Sequence, residues 1–322
     1  MEKTYPEKLK AGDEVRVVAP SKSMRSIFTD DMKAQAIKQL ENLGLKVSFG
    51  KYIEEENEFQ STTIEHRLED LHDAFADKDI KGILTVTGGT SSNQLLKYLD
   101  YDLIKNNPKV LSGISDITSL KNAIFTKTGL VTYSGPYFTS FGTESHVDYT
   151  TKYFKKCCFS EEPIEIKPSE YFYNKRGDSE KNKNEGPWSI NEGEASGTII
   201  GANLITFNLL QGTEFYPDLT DSIVFVEDNH KENIRAFESH LQSLILQPNF
   251  EKVKGIAIGR FQMESGMTKE LLTKIVKSKR ELNNIPVIAN LDFGHTKPFF
   301  TFPIGGECRI NANKLLIEVT KH

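Results

Sequence analysis

Residues 109–120 read KVLSGISDITSL, an apolar, β-branched run that passes through a GISD turn at 113–116 into a helix-like pattern. This order predicts a strand, a sharp turn and a helix, with Ser115 at the turn. A serine held there projects its hydroxyl beyond the strand, where a helix N-terminus offers free N–H groups to a developing oxyanion. The interpretation of Ser115 as a nucleophile has one alternative and one departure from the usual motif. Ser115 could simply cap the helix, and Ile117 stands where the usual hydrolase turn has glycine.

The first half of the chain repeats this alternation of strand and helix on both sides of the turn. The predicted strands cover residues 15–19, 47–49, 82–87, 109–113 and 130–133. Helical spacing lies between them, and one helix opens on a capping box at 62–65. Such repetition predicts a parallel sheet with helices on both faces. Binding sites in these sheets form beyond the carboxyl ends of the strands, where Gly88, Gly89 and Ser115 all fall.

The character of the sequence changes between residues 169 and 194. Asn, Lys, Glu, Ser and Gly dominate this segment and aliphatic residues are scarce, which predicts a long loop or linker. Trp188, the single tryptophan of the chain, interrupts it. A long ordered loop that carries one aromatic residue is often a binding lid. The alternative is a loop that folds back and buries its one aromatic side chain.

The second half of the chain predicts another α/β domain, with more mixed strands. Apolar runs at 197–204, 222–226, 255–259 and 286–289 indicate strands, and residues 299–319 alternate as antiparallel strands do. We therefore expect three parts. An N-terminal α/β domain covers 1–160, a linker with a substrate loop covers 161–196, and a C-terminal domain covers 197–322.

Composition excludes several classes of protein. The 322 residues are 38% hydrophobic and 26% charged, as in ordinary globular proteins, and the formal net charge is −5. That charge argues against a nucleic-acid partner, since nucleic-acid binders usually carry a basic stripe. We expect no membrane span and no signal peptide. The three cysteines have neither disulfide-framework nor metal-ligand spacing, so a reducing cytoplasm is the expected location.

A serine nucleophile needs a base and an acid that orients the base. His295 follows a strand and a glycine and precedes Pro298, which holds it on a constrained turn at a strand end. Glu227 directly follows the apolar run 222–226. Alternatively, the histidine is a structural or surface residue, and the glutamate is an N-cap or first-turn acid of the helix that follows it. Six other histidines have no comparable position: His66, His72, His146, His230, His240 and His322.

Six segments in chain order resemble motifs of the serine peptidases that comprise the LD-carboxypeptidases and the microcin C immunity proteins. They are GGTSSNQLL at 88–96, GISDIT at 113–118, SGP at 134–136, GANL at 201–204 with GT at 212–213, FVED at 225–228 and GH at 294–295. Ala202 departs from this pattern, since the family segment reads Gly-Gly-Asn-Leu. The matching motifs span most of the chain.

The resemblance implies a Ser-His-Glu triad built across two domains. Ser115 would attack the substrate carbonyl, His295 would take its proton, and Glu227 would orient the imidazole. The backbone N–H groups of Gly89 and Asp116 would form the oxyanion hole. The resemblance also implies a flavodoxin-like N-terminal domain, a smaller C-terminal domain with a mixed sheet or barrel, and a homodimer. It implies no metal and no organic cofactor.

The segment GGTSS at 88–92, called the glycine turn below, is similar to that of the microcin-immunity branch of the family. LD-carboxypeptidases, which release D-alanine from murein tetrapeptides, commonly have arginine where this chain has Thr87, and Tyr-Gly where it has Thr90 and Ser91. Immunity proteins cleave an acidic aminoacyl group from a modified nucleotide. In that interpretation Gly88 and Trp188 contact the substrate, with the indole stacked on the nucleobase.

Two other functions stay open. The first is a murein tetrapeptide LD-carboxypeptidase with the same triad. The second is a non-catalytic protein that keeps the fold and binds a peptide or a nucleotide, against which the intact set of serine, glutamate and histidine argues. In all three cases the partner is a small molecule rather than a nucleic acid or a membrane.

Overall fold

The computed structural model describes residues 2–25, 27–142, 147–175, 177–229 and 233–322. Within these ranges it has sixteen strands and eight α-helices. The strands are β1 (Glu14–Val18), β2 (Lys46–Phe49), β3 (Ile80–Thr85), β4 (Val110–Gly113), β5 (Thr132–Ser134), β6 (Ile164–Glu165), β7 (Tyr171–Phe172), β8 (Asn182–Lys183), β9 (Trp188–Asn191), β10 (Glu194–Asn203), β11 (Ser222–Glu227), β12 (Gly255–Gly259), β13 (Val287–Leu291), β14 (Phe302–Ile304), β15 (Glu307–Asn311) and β16 (Leu316–Lys321). The helices are α1 (Asp30–Asn42), α2 (Ile64–Ala76), α3 (Tyr101–Asn106), α4 (Ile117–Thr128), α5 (Val147–Phe159), α6 (Leu204–Asn208), α7 (Ile234–Ile245) and α8 (Lys269–Lys277).

The helix boundaries follow from local capping chemistry. The N-cap of α2 is Thr63, whose side chain accepts a hydrogen bond from the His66 N–H. The predicted capping box, with Thr62 as the cap and Glu65 as its partner, is therefore wrong by one residue, and the Thr62 hydroxyl donates to Glu55 instead. Gly129 ends α4 in a left-handed conformation with φ of 78°, which glycine adopts without steric penalty. None of the helices that the structure describes combines the length and the apolar character that a membrane span needs.

The first sheet has the strand order β14-β5-β4-β3-β1-β2. Its strands β1 to β5 are all parallel, in the order 2-1-3-4-5 that defines the flavodoxin-like fold. The flavodoxin-like prediction is therefore confirmed. The antiparallel strand β14 comes from the far end of the chain and pairs with β5.

The second sheet has eight strands in the order β6-β16-β15-β10-β11-β12-β13-β9. Its centre, from β10 to β13, is parallel, whereas β6, β9, β15 and β16 add antiparallel edges. This arrangement confirms the prediction of a mixed second sheet. Because β11 and β13 run in the same direction, their carboxyl ends meet at one edge of the sheet.

The segment expected to be a linker contains more structure than its composition indicates. Residues 161–196 contain the edge strands β6 and β9 of the second sheet, the hairpin formed by β7 and β8, and the start of β10. Trp188 begins β9 and is paired with Ala289 of β13. Short edge strands bury little apolar surface, so a polar composition is compatible with them. The domain boundaries at 160 and 196 stay a prediction.

Helix α4 joins the two sheets and carries Ser115 toward the second one. The side-chain amide of Asn122 is hydrogen-bonded to both the N–H and the carbonyl oxygen of Gly201, at 3.2 and 2.9 Å. The hydroxyl of Thr118 accepts a hydrogen bond from the N–H of Asn203 at 3.2 Å. These bonds attach the helix to β10, so the turn before α4 faces the carboxyl edge of the second sheet.

Candidate active site

Ser115 lies on a strained turn between β4 and α4. Its φ is +62°, in the left-handed region that non-glycine residues rarely occupy. Such strain is typical of functional positions and of the turn that exposes a nucleophile. The helix cap is Asp116 rather than Ser115, which removes the alternative that the serine serves only as a cap. Its Oγ lies instead 3.1 Å from Nε2 of His295.

Glu227 and His295 reach this serine from two neighbouring parts of the second sheet. Glu227 is the last residue of β11, and His295 follows β13 on a short turn. The imidazole Nδ1 lies 2.7 Å from Oε2 of Glu227. With the proton on Nδ1, the imidazole donates to the carboxylate and its Nε2 can accept from the serine hydroxyl. Ser115, His295 and Glu227 thus form one continuous hydrogen-bonded chain.

Burial and close packing hold the carboxylate of Glu227 in place. Glu227 is 3% exposed, so its carboxylate has little water to compete with the imidazole. Gly294 has φ of +107°, and a β-carbon on it would lie 2.7 Å from Oε2 of Glu227. Glycine is required at this position both for the backbone conformation and for the close approach. The adjacent Asp228 is also buried, and burial raises the pKa of its carboxyl, to which Glu227 adds.

The glycine turn packs directly against the nucleophile. A β-carbon on Gly88 would lie 3.2 Å from Oγ of Ser115 and 3.5 Å from the backbone N of Asp116. The N–H of Asp116 sits at the start of α4, where no preceding turn of helix supplies an acceptor. Gly89 is the next residue of the turn. The two N–H groups expected to form an oxyanion hole therefore belong to segments in contact beside Ser115.

Trp188 lies in a strand rather than in an exposed loop. Its ring is half-buried against the core residues under α8, and Nζ of Lys269 lies 5.4 Å from the ring centroid. The indole Nε1 is buried, and no hydrogen-bond acceptor lies near it in the described residues. The expectation that Trp188 lies in a long loop is thus wrong, because the residue is part of the edge strand β9. Its contact with a substrate stays a prediction.

The β7–β8 hairpin is a part of the site that the sequence did not single out. Tyr173, which follows β7, exchanges two backbone hydrogen bonds with Lys297, at 2.6 and 2.9 Å. Lys297 is two residues beyond His295, so the hairpin is attached to the turn that carries the base. Tyr171 and Phe172 of β7 are half-exposed. Three consecutive aromatics in an otherwise polar segment were the available signal.

A buried ion pair supports the same turn. Nη1 of Arg260 lies 2.6 Å from Oδ1 of Asp292, and the two side chains are 4% and 2% exposed. The other carboxylate oxygen accepts from the N–H of Ser169 at 2.7 Å. The guanidinium carbon of Arg260 also lies 4.5 Å from the ring centroid of Phe172. Arg260 and Asp292 therefore connect the hairpin to the residues just before His295.

Lys121 is an unusual buried amine beneath the nucleophile turn. It is completely buried in α4 and its Nζ donates to the carbonyl oxygen of Gly113 at 2.7 Å. Burial lowers the pKa of this amine well below its ordinary value, against a smaller opposing effect of Glu227. The bond holds the end of β4 two residues before Ser115.

The other histidines that the structure describes lie away from this chain of hydrogen bonds. His66 stacks on Tyr52 with ring centroids 3.8 Å apart, and His72 accepts from the Asp100 N–H at 3.0 Å. His240 faces Asp228 with 3.6 Å between Nδ1 and Oδ2. His322 is buried beside Cys157, and His146 and His230 lie outside the described residues.

Comparison with known proteins gives matches along the length of the chain. Residues 15–135 match the LD-carboxypeptidase N-terminal domain and residues 196–310 match the LD-carboxypeptidase C-terminal domain. The putative carboxypeptidase YocD of Bacillus subtilis is 51% identical over 96% of each chain. The microcin C7 self-immunity protein MccF of Escherichia coli is 31% identical over 89% of this chain and 87% of its own. A probable murein peptide carboxypeptidase of Bacillus subtilis is 28% identical over 95% and 91%.

Solved structures agree with these matches. An MccF-like protein from Bacillus anthracis superposes with a TM-score of 0.97 at 49% identity, over 99% of this chain and 100% of that one. MccF in complex with aspartyl sulfamoyl adenosine superposes with a TM-score of 0.88 at 28% identity, over 98% of each chain. With both family domains matched and relatives above 30% identity over most of its length, the chain belongs to the LD-carboxypeptidase family and is a peptidase-type hydrolase.

Proposed function

We propose that the protein is a serine hydrolase that cleaves the amide-type bond of an aminoacyl- or peptidyl-nucleotide, with Ser115, His295 and Glu227 as its catalytic triad. The observation that carries the serine-hydrolase assignment is the hydrogen-bonded chain from Oγ through the imidazole to the buried carboxylate, at 3.1 and 2.7 Å. Three residues from three separate strand ends meet in the geometry that acyl transfer needs.

The geometry supports a two-step reaction. Oγ of Ser115 attacks the substrate carbonyl while Nε2 of His295 takes the hydroxyl proton, and Glu227 stabilises the imidazolium. The N–H groups of Gly89 and Asp116 bind the oxyanion of the tetrahedral intermediate. His295 then gives its proton to the leaving nitrogen, which releases the nucleotide part and leaves an acyl-enzyme. Water, activated by the same histidine, hydrolyses that ester.

An amide donor next to the triad is a candidate contact for the acyl part of the substrate. Asn203 ends β10 and is in register with Glu227 of β11, so the two side chains share one face of the parallel sheet. Its Oδ1 accepts from Thr206, whereas its Nδ2 is buried and has no acceptor among the described residues. A carboxylate or carbonyl oxygen of the substrate would satisfy this donor.

The nucleotide part of the substrate needs an aromatic surface. Trp188 is the residue expected to stack on the nucleobase, and an aromatic–base stack is worth about 1–3 kcal/mol. The half-exposed Tyr171 and Phe172 are alternative surfaces, because their hairpin is attached to the turn of His295. Relatives with bound aspartyl sulfamoyl adenosine and glutamyl sulfamoyl guanosine support a nucleotide-linked substrate.

A murein tetrapeptide is the second candidate substrate, because one relative is named a probable murein peptide carboxypeptidase. The decisive experiment incubates the protein with a murein tetrapeptide and with aspartyl or glutamyl sulfamoyl adenosine, and identifies the products by mass spectrometry. We expect release of the acidic amino acid from the sulfamoyl nucleoside. Release of D-alanine from the tetrapeptide alone would assign the murein function instead. Cleavage of neither would leave a non-catalytic binding protein.

We also propose a cytoplasmic location and a homodimer. Light scattering on the eluate of a sizing column would measure the oligomeric state directly. A mass near 36.4 kDa, that of one chain, would contradict the dimer.

A further inference from the structure

Three strand ends of the first sheet converge behind the expected oxyanion hole. Ser21 follows β1, the glycine turn at 88–92 follows β3, and Asp116 follows β4. The neighbouring strands β1, β3 and β4 are parallel, so their carboxyl ends lie side by side. Ser21 and Asp116 are 1% and 3% exposed. Neither side chain belongs to the triad, so the polar groups they bury need another explanation.

The two side chains bind the glycine turn through its backbone. The hydroxyl of Ser21 donates to Oδ2 of Asp116 at 2.6 Å and accepts from the Thr90 N–H at 3.1 Å. The same Oδ2 accepts from the N–H groups of Ser91 and Ser92, at 3.0 and 2.9 Å. Three successive amides of the turn therefore point at this serine–aspartate pair.

The pair leaves one amide of the turn available. Among the described residues no acceptor binds the N–H of Gly89, which directly precedes the three bound amides. A β-carbon on Gly89 would clash with Oγ of Ser21, so the serine also packs against the glycine itself. From the other side, Nη1 of Arg67 donates to the carbonyl oxygen of Ser91 at 3.0 Å. These bonds hold the three peptide planes that directly follow Gly89, and the packing of Ser21 against Gly89 limits the movement of the residue itself.

We infer that Ser21, acting through Asp116, is a positioning residue for the oxyanion hole. An oxyanion hole is effective because its donors are oriented before charge develops, so groups that fix those donors control the rate. Asp116 has two roles in this arrangement: its backbone N–H faces the substrate and its carboxylate holds the glycine turn. The inference rests on the proposed function, since it concerns the same acyl-transfer site.

The test compares Ser21→Ala with a matched control, Ser23→Ala. Ser23 is also 1% exposed, and its hydroxyl donates to the carbonyl oxygen of Ile53 at 3.2 Å, away from the glycine turn. Both variants remove one buried hydroxyl from the same loop, and Ser21→Ala should lower the melting temperature more, because its hydroxyl is bonded to a buried carboxylate. Only Ser21→Ala releases the Thr90 N–H and one donor to Asp116.

Two readouts separate positioning from stability. The first is kcat and KM on glutamyl sulfamoyl adenosine, and the second is the rate of labelling by an alkyl fluorophosphonate. In the labelling step Oγ of Ser115 bonds to phosphorus, the P–F bond breaks, fluoride leaves and His295 takes the proton. Ser21→Ala should lower kcat and the labelling rate about 10- to 100-fold, below the loss of a whole oxyanion donor, with KM changed less than about threefold.

The outcomes are distinct. Equal rates for Ser21→Ala and Ser23→Ala, with an active wild type, would overturn the positioning role and leave the triad intact. A wild type that neither reacts with the fluorophosphonate nor cleaves the nucleotide would overturn the proposed function itself. If Ser21→Ala does not fold, Asp116→Asn decides, because it keeps the acceptor shape and removes its charge. We expect at least about a 10-fold loss of kcat in that variant, and full activity would overturn the inference.

Discussion

Gly88 lies so close to Ser115 that a β-carbon on the glycine would be 2.9 Å from the serine Cβ. Gly88 follows β3 and Ser115 follows the neighbouring strand β4, so this contact limits where the serine side chain can lie. Gly88→Ala should therefore displace Ser115 and lower kcat/KM by about 100-fold, because a shift near 1 Å can have that effect. The backbone of Gly88 is not in the left-handed region, so the melting temperature should fall only slightly. Unchanged kcat/KM would show that the turn yields to the added methyl group.

Ser115→Ala should abolish turnover and leave the fold intact. The hydroxyl is the nucleophile of the proposed mechanism, and removal of a triad nucleophile lowers kcat by several orders of magnitude. The same change relieves no backbone strain, since alanine at φ of +62° is as strained as serine. Steady-state kinetics and thermal unfolding on the purified variant check both parts. Turnover near the wild-type value would disprove the triad.

Trp188→Ala tests the nucleobase contact. Loss of an aromatic–base stack should weaken binding of aminoacyl sulfamoyl nucleosides by about 1–3 kcal/mol and leave hydrolysis of a base-free peptide almost unchanged. Trp188→Phe, which keeps a ring at the start of β9, is the matched control. The measurement is kcat/KM on both substrates, with the melting temperature of each variant. Equal losses on both substrates, with a large drop in melting temperature, would show that the indole only packs against the core.

Ala202→Gly should stabilise the protein. Ala202 has φ of +118°, and strain at such a position amounts to about 1–3 kcal/mol. The glycine loses about 0.4–1 kcal/mol more entropy on folding, so the free energy of unfolding should rise by roughly 1 kcal/mol. Ala195→Gly, in the same strand and without positive φ, should lower it. A decrease in the free energy of unfolding of both variants, measured by urea unfolding, would contradict backbone strain at Ala202.

Lys109 should make stability depend on pH between about 8 and 10. It is 6% exposed, its Nζ donates to the carbonyl oxygens of Asp77 and Ile80, and burial lowers its pKa to about 8. Between that value and its ordinary pKa near 10.4, the unfolded chain binds more protons, so stability rises with pH.

The variant Lys109→Met isolates this contribution, since the methionine side chain is similar in length to that of lysine and cannot titrate. Urea unfolding of both proteins at several pH values gives the difference in their free energies of unfolding. We expect the free energy of unfolding of the wild type to rise relative to that of the variant as pH increases from about 8 to 10. Parallel curves would mean that the amine has an ordinary pKa in the folded state.

The sequence predicted those features that depend on strand ends. Apolar runs that stop at glycine, serine, glutamate or histidine placed Gly88, Ser115, Glu227 and His295 at strand ends, and the structure brings the last three into a single hydrogen-bonded chain. The signal is strong because a buried parallel strand is a continuous apolar run. Ser21 follows such a run too, yet a lone serine after proline carries no distinguishing pattern.

Features that depend on pairing between distant segments could not be predicted. Strands β6 and β9 are short edges with one covered face, so their sequences are as polar as a loop. Arginine is a residue type that is mostly exposed, whereas Arg67 is 3% exposed because its guanidinium finds backbone acceptors outside α2. The sequence does not show that Trp188 pairs with Ala289 of β13, a pairing that places the indole against the core of the second sheet.

Strand β14 has a consequence for how the chain can be divided. It lies near the C-terminus, yet it covers the outer edge of β5 in the N-terminal sheet. A fragment that stops before residue 302 would leave the N–H and carbonyl groups of that edge open to pairing with other chains. Expression of the nucleophile-bearing half alone should give aggregates, whereas co-expression of two complementary halves could restore one folded enzyme. Because the first sheet contains strands from both ends of the chain, we expect neither half to fold correctly when it is expressed alone.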